Sequence, residues 1–368
     1  MPDVLIYADT VRSPELRHEI PLSIPDPFLY VERNGSRHAV VSALELPRVR
    51  ELAGLEVHAT DEFGYDELVR SGKSRKEVRD ELLARVCEAV GVRSAVVPGD
   101  FPLEIADELR SRGVQLVADR EHFDRRRRVK NEQELAGIRR AQKAAEAGME
   151  AARQLLRGGA PIAVERVKAA IEERFTANDC TADEFIVSHG WQSAIGHHAG
   201  DGEIAAGEPI VIDLWPRDRA SGCHADMTRT FVIGEPTDEL LEWHRLCKEA
   251  LDRALGEIRA GVTGRSVFDG TCELFERAGY KTQRTKEEGK PLEEGFFHGL
   301  GHGVGLEVHE EPGLGMLGSD PLVAGDVVTV EPGLYRPGAG GCRLEDLVLV
   351  TEDGCENLTD FPYEVTLE

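Results

Sequence analysis

Residues 208–233 read EPIVIDLWPRDRASGCHADMTRTFVI, and both apolar runs in this stretch are interrupted by an acid. Asp213 ends the run IVI, which reads as a buried strand, and Asp226 opens the run MTRTFVI. The pattern recurs toward the C-terminus. In DVVTVEPGLY (326–335) Glu331 follows apolar and β-branched residues, and in RLEDLVLVT (343–351) Glu345 and Asp346 precede another such run. A carboxylate at the rim or inside of a sheet is unfavourable unless it is paired, protonated or bound to metal. A single acid of this kind is most simply a strand-end charge in solvent. Four of them call for a common partner.

A histidine with glycine on either side supplies a fifth group. The stretch HGLGHGVGLEVHEEP (298–312) holds His298, His302 and His309, three of the twelve histidines in the chain. Ordering a glycine-dense segment is entropically unfavourable, so such a segment fits places where backbone bends sharply or approaches a ligand closely. Asp213, Asp226, His302, Glu331 and Glu345 together make an oxygen-rich set with one imidazole. Such a set suits Mn²⁺, with Co²⁺, Zn²⁺ or Fe²⁺ as alternatives, better than copper or iron–sulfur chemistry. Four carboxylates overload one divalent ion, whereas two ions about 3.5–4 Å apart balance them. A water held by two such ions is deprotonated near neutral pH, which is a hydrolase design.

Working outward, the chain has 368 residues, enough for two domains, and its 41% hydrophobic and 30% charged content describes a globular protein. The formal charge of −24 argues against a nucleic-acid partner. The first residues, MPDVLIYADTVRSPELRHEI, lack the apolar core of a signal peptide, and no later apolar run is long enough to span a bilayer. Seven cysteines without a CxxC pair predict free thiols in a reducing compartment and no thiolate zinc site. These features predict a cytoplasmic protein without a membrane partner.

Residues 1–127 read as an α/β domain, with strands at 4–8, 28–31, 38–43, 94–97 and 114–118 and helices at 74–90 and 102–112. No glycine-rich phosphate loop follows any of these strands, so the half reads as support or assembly surface. The basic run RRRRVKNEQEL (125–135) reads as a solvated linker into a helix, with Asn131 and Glu134 at capping-box spacing. The boundary falls at 127/128. Residues 128–368 carry helical patterns at 161–175, with Pro161 in the first turn, and at 239–260 and 266–278. Set apart from the acid-bearing strands, they predict an α+β domain. The polar stretch 281–295 reads as a surface insertion.

The series IVIDLW, ADMTRTF, HGLGHGVGLEVHEEP, VTVEPGLY and RLEDLVLVT resembles the pita-bread metallopeptidases, and among them the Xaa-Pro dipeptidases (prolidases) and aminopeptidases P. RVKNEQELAGIRRAQ resembles the family's domain junction, and the first domain is similar to the creatinase-type N-terminal domain in size and character. The resemblance implies a homodimeric exopeptidase that cleaves the N-terminal Xaa-Pro bond of dipeptides or short peptides with two divalent metal ions per chain. It implies that Asp213 chelates one ion, His302 and Glu331 the other, and that Asp226 and Glu345 bridge them. Glu331 is also the proton acceptor for the attacking water. His309 lies beside the scissile amide, His298 lines the substrate pocket, and Arg343 meets the substrate's carboxylate through its planar fork.

Two segments depart from the family pattern. The Asp213–Asp226 connection is two residues longer than usual and has Trp-Pro where an Asp-x-Gly turn is common, and we read it as a longer surface turn. The loop that supplies another substrate-side histidine is shorter, and of its two histidines His198 is preferred over His197. His224 reads as a hairpin-tip surface residue, His189 equally as pocket-lining or structural, and Cys223 and Cys342 as packing residues. Three rival readings are a non-catalytic peptide-binding protein on the same fold, a metal-free amidinohydrolase of the creatinase type, and a methionine aminopeptidase. The complete ligand set disfavours the first two and the extra N-terminal domain the third.

Overall fold

The computed structural model describes residues 2–367, and the chain divides into two compact units, Met1–Arg127 and Arg128–Glu368. The first is built on a six-stranded mixed sheet in the order 56–59, 36–41, 28–33, 4–8, 94–97, 115–118. Alternation along the strands splits its core between two faces. Leu5, Leu29, Val31 and Val40 pack with Leu83, Val86 and Leu109 of the helices Arg75–Val90 and Leu103–Ser111. Val4, Ile6, Tyr30, Ala39 and Val41 face the other way, onto Leu16, Ile20 and Phe123. The edge strand Glu56–Ala59 escaped the sequence reading because, although EVHA alternates polar and apolar residues, it is only four residues long.

The basic run is not a solvated linker. Arg125–Arg128 close the helix Arg120–Arg128, and Arg126 donates to Glu19 Oε1 at 2.6 Å and to Glu32 Oε2 at 2.7 Å. Charge patterning alone could not show that a buried acid, Glu19, lies in wait for the guanidinium.

The second unit has two similar halves. In the first, the helices Glu132–Leu156 and Val164–Ala177 pack on antiparallel strands Ile186–His189, Ile210–Leu214 and Met227–Ile233. In the second, the helices Asp238–Glu257 and Gly264–Arg277 pack against Val327–Val330 and Asp346–Val350, whose sheet continues through Gly301–Gly303. Asn131 Oδ1 accepts from the Glu134 N–H while Glu134 Oε2 accepts from the Asn131 N–H, a reciprocal cap that starts the first helix. The helix expected at 161–175 begins only at Val164, because Ile162–Ala163 pair instead with Glu203–Ile204.

Both expected C-terminal strands are broken at their acids. The 326–335 run divides into Val327–Val330 and Gly333–Arg336, which belong to different sheets, and Glu331 lies at the break beside Pro332, which has no N–H to continue a ladder. The 343–351 run divides into Gly340–Arg343 and Asp346–Val350, with Glu345 at that break. An isolated bridge between Thr228 and Glu345 joins the two halves at this point. Arg229, 1% exposed, clamps it. Its five N–H groups reach Thr228 O, Glu345 O, Phe361 O, Pro362 O and Asp346 Oδ1.

Candidate metal centre

Asp213, Asp226, His302, Glu331 and Glu345 line one cavity of about 880 Å³. The four acids sit at or near strand ends and breaks, and His302 is the middle residue of a short strand. Asp213 ends the Ile210–Leu214 run opposite Thr228, and Asp226 immediately precedes Met227–Ile233. Glu345 turns into the cavity, while Asp346, its neighbour in the same acidic pair, turns away to Arg229, Asn357 and Tyr363. Adjacent strand residues face opposite sides, and that alternation separates the two acids.

His302 is presented by the short strand Gly301–Gly303. Its N–H donates to Thr329 Oγ1 at 3.1 Å, and its Nδ1 lies 3.2 Å from Gly303 O. A proton on Nδ1 satisfies that carbonyl and leaves the Nε2 lone pair toward Asp226 Oδ2 at 3.8 Å and Glu331 Oε1 at 3.6 Å. Its glycine neighbours are required by packing. A Cβ on Gly301 would come within 2.0 Å of Thr329 O, and one on Gly303 within 2.6 Å of Glu310 O.

The electrostatics are those of a site built for cations. Burial, then the repulsion of Glu345, Asp213 and Glu331, drives the Asp226 carboxyl well above its ordinary range. Burial followed by Asp213 and Glu331 does the same to Glu345. Glu331 is pushed up to about 8 by burial, against the pull of Arg343 and with Asp213 adding to the rise. His302 falls to about 4, mainly through burial and the neighbouring His309, so its imidazole is neutral at pH 7. Asp213 Oδ1 and Asp226 Oδ1 are buried without a hydrogen-bond partner. Orphaned carboxylate oxygens among crowded acids fit divalent ions. The donor atoms of Asp226, His302 and Glu345 lie within 4.8 Å of one another.

Arg343 also lines the cavity. Its fork donates to Asp213 Oδ2 at 2.6 Å and Tyr335 Oη at 2.9 Å, and its Nε to Thr228 Oγ1 at 3.3 Å. Thr228 in turn donates to Glu345 Oε2 at 2.7 Å. Three of its five N–H groups are thus taken by Thr228, Tyr335 and Asp213, so Arg343 holds one of the acids while lining the cavity. Tyr335, missed in the sequence, extends the chain by donating to His298 Nε2 at 2.9 Å, while His298 Nδ1 meets Gly299 O at 2.7 Å. The only sequence signal for Tyr335 was its place four residues after Glu331.

The remaining histidines separate by position. His309 lines the cavity with its ring centroid 4.2 Å from that of His302, and burial and His197 lower its pKa. His298 also lines the wall and falls to about 3 through burial and Arg343. His197 reaches the cavity, whereas His198 stands edge-on against Trp191 and its Nδ1 accepts from the Gly200 N–H. Loop shape decides between two adjacent histidines, and the sequence could not reveal it. His189 is held between Glu208 and the Asp201 carbonyl, a structural placement. His224 is no surface residue: burial carries it down to about 4, and its Nδ1 meets Trp215 O.

The longer 213–226 connection is more than a surface turn. Trp215 lines the cavity, and Arg217–Asp218 pair with Cys180–Thr181. Asp218 is pinned by both arms of Arg140. Cys223 and Cys342 are buried packing residues, and all seven cysteines are free. Among the described residues no helix is long and apolar enough to cross a membrane.

The family model for metallopeptidase family M24 matches residues 136–352. The probable dipeptidase PepE of Mycobacterium bovis is 34% identical over 329 residues, covering 88% of this chain and 82% of that one. The Xaa-Pro dipeptidase of Pyrococcus horikoshii is 30% identical over 279 residues, covering 73% and 74%. The crystal structure of X-Pro aminopeptidase from Thermotoga maritima MSB8 superposes with a TM-score of 0.81 at 24% identity, over 99% of this chain and 97% of that one, so it shares the pita-bread fold.

Proposed function

We propose, from the premise that the chain belongs to metallopeptidase family M24, that it hydrolyses the N-terminal Xaa-Pro bond of dipeptides or short peptides. The observation carrying this reading is the convergence of four carboxylates and His302 on one cavity, with two buried carboxylate oxygens unpartnered. Asp213, Asp226, His302, Glu331 and Glu345 would hold two divalent ions, with Mn²⁺ the first candidate. Bound ions supply a water acidified to near neutral pH and Lewis-acid polarisation of a carbonyl.

The chain's own residues supply the rest. Glu331, ionised once cations sit beside it, would take a proton from the attacking water and return it to the leaving nitrogen. His309 is neutral near pH 7, and its N–H is the donor offered to the carbonyl oxygen as charge develops there. His298 is neutral and fixed by Tyr335, so it shapes the wall without adding charge. His197 takes the substrate-side place that His198 cannot reach, and Trp215 gives the pocket an apolar wall suited to a proline ring. Arg343 positions Asp213. An Xaa-Pro amide has no N–H, so a peptidase for it cannot rely on that donor.

A cytoplasmic homodimer completes the proposal, the compartment supported by the free thiols and the dimer resting on the resemblance alone, with residues 1–127 as support or assembly surface. The test is hydrolysis of an Xaa-Pro dipeptide and an Xaa-Pro-Yaa tripeptide by metal-stripped protein before and after adding Mn²⁺, Co²⁺ or Zn²⁺. Metal-dependent cleavage is expected, and the preferred length separates dipeptidase from aminopeptidase. Metal uptake without cleavage of either peptide would refute the Xaa-Pro assignment.

A further inference from the structure

A second cluster of metal-ligating side chains lies far from this chemistry in the chain, within the first unit. His38 is on the strand Ser36–Val41, and Glu56 and His58 are on the edge strand Glu56–Ala59. The two strands run parallel, with His38 opposite Glu56 and Val40 opposite His58. Glu56 and His58 are two apart, so they share a face, and cross-strand pairing puts His38 on that face with them.

The distances are those of a cation site. His38 Nδ1 lies 3.4 Å from His58 Nε2 and 3.5 Å from Glu56 Oε2. Two donors bound about 2.0–2.1 Å from a tetrahedral ion are separated by about 3.3–3.4 Å. All three donor atoms fall within 4.8 Å of one another. Beyond them Glu62 Oε2 lies 3.1 Å from His58 Nδ1. A proton held on Nδ1 by that carboxylate leaves the Nε2 lone pair facing His38, as in metal sites where a carboxylate orients the histidine. Glu62 is itself fixed by the Ala59 N–H at 2.9 Å.

We infer that His38, Glu56 and His58 bind a zinc ion at the edge of the N-terminal sheet, with Glu62 orienting His58 and the fourth position left to water. Two imidazoles and one carboxylate match zinc's donor preference. The ion ties the edge strand Glu56–Ala59 to its neighbour. The site is independent of the peptidase centre, since none of its residues lines that cavity.

The test uses the full chain. After metal stripping, protein is equilibrated with buffered free zinc and bound zinc per chain is measured by mass spectrometry. The wild type is expected to hold one ion more than His38→Gln or His58→Gln, with Xaa-Pro hydrolysis unchanged in both variants. Glu62→Gln keeps three donors and is expected to weaken this zinc by about 10–100-fold. Zinc-equilibrated wild-type crystals give a check that needs no variant: an anomalous peak at the zinc edge among His38, Glu56 and His58 is expected. Equal zinc in the wild type and both histidine variants, or no peak there while the peptidase centre is occupied, overturns the inference.

Discussion

Arg343 decides between two readings of the peptidase site, and Arg343→Lys is the perturbation that separates them. In the structure its guanidinium holds Asp213, Tyr335 and Thr228 at 2.6, 2.9 and 3.3 Å. A lysine keeps the charge but cannot serve three partners from one planar fork. A hydrogen bond between charged groups contributes about 1.5–3 kcal/mol. Loss of an outer partner of a metal ligand weakens metal binding about 10–100-fold, which is about 1.4–2.8 kcal/mol. The two figures agree, so the variant should need about 10–100 times more free metal for half-maximal activity. At saturating metal, KM should change little for dipeptide and tripeptide alike.

The assay is peptidase activity in chelator-buffered Mn²⁺, with an Xaa-Pro dipeptide and an Xaa-Pro-Yaa tripeptide in parallel. An unchanged metal midpoint, together with a raised KM for the dipeptide alone, would refute the reasoning. That result would return Arg343 to the substrate's carboxylate.

Other variants probe other links in the chain. Glu345→Ala should reduce bound metal and abolish hydrolysis while circular dichroism stays that of the folded chain; full activity at limiting metal would sink the bridged-ligand role. His197→Ala should lower kcat about 10²–10⁴-fold while His198→Ala stays near wild type, and the reverse order would restore the sequence preference. Arg229→Met leaves Asp346 buried without its cation, so denaturant unfolding should show a loss of about 3–5 kcal/mol. Glu19 gives the pH prediction. Burial alone would raise its pKa, but Arg126 and Arg37 outweigh it and hold the carboxyl below its ordinary value. Its contribution is therefore present above the unfolded pKa and lost as pH falls through the folded one. The gap in thermal midpoint between wild type and Glu19→Gln should be largest near pH 7 and shrink in acid.

What was legible in the sequence follows from how local each signal is. The acids broke apolar strand patterns and so stood out, and the Asn131–Glu134 cap was visible as spacing. The edge strand Glu56–Ala59 alternates polar and apolar residues, but over four positions the pattern is too short to stand out. The basic run misled because its meaning lay in Glu19, a hundred positions away along the chain. The same limit explains Arg343 and His198. Residue type and neighbourhood placed both near the site, but where the Arg343 fork points depends on Asp213 and Tyr335, and the choice of histidine depends on how the 190–200 loop packs on Trp191.

The repeat within the second unit explains why the acids come in two pairs. Each half is a helical pair followed by a sheet containing three mutually antiparallel neighbours, Ile186–His189, Ile210–Leu214 and Met227–Ile233 in the first and Gly301–Gly303, Val327–Val330 and Asp346–Val350 in the second. In each, one acid closes the middle strand and another opens the third: Asp213 with Asp226, then Glu331 with Glu345. The halves meet at the Thr228–Glu345 bridge, which brings the two hairpin ends together. Four carboxylates thereby converge without any one hairpin having to bury more than two. Each half alone could leave its acids at a solvated edge, where their repulsion would be slight. Docking the halves removes that solvent and raises the carboxyl pKa values of Asp226 and Glu345. Cations that neutralise the acids therefore stabilise the docked halves as well as serving the chemistry. Removing metal should then loosen the second unit itself, read as faster amide exchange in Met227–Ile233 and Asp346–Val350. Exchange there that does not depend on metal would separate the assembly of the fold from the filling of its site.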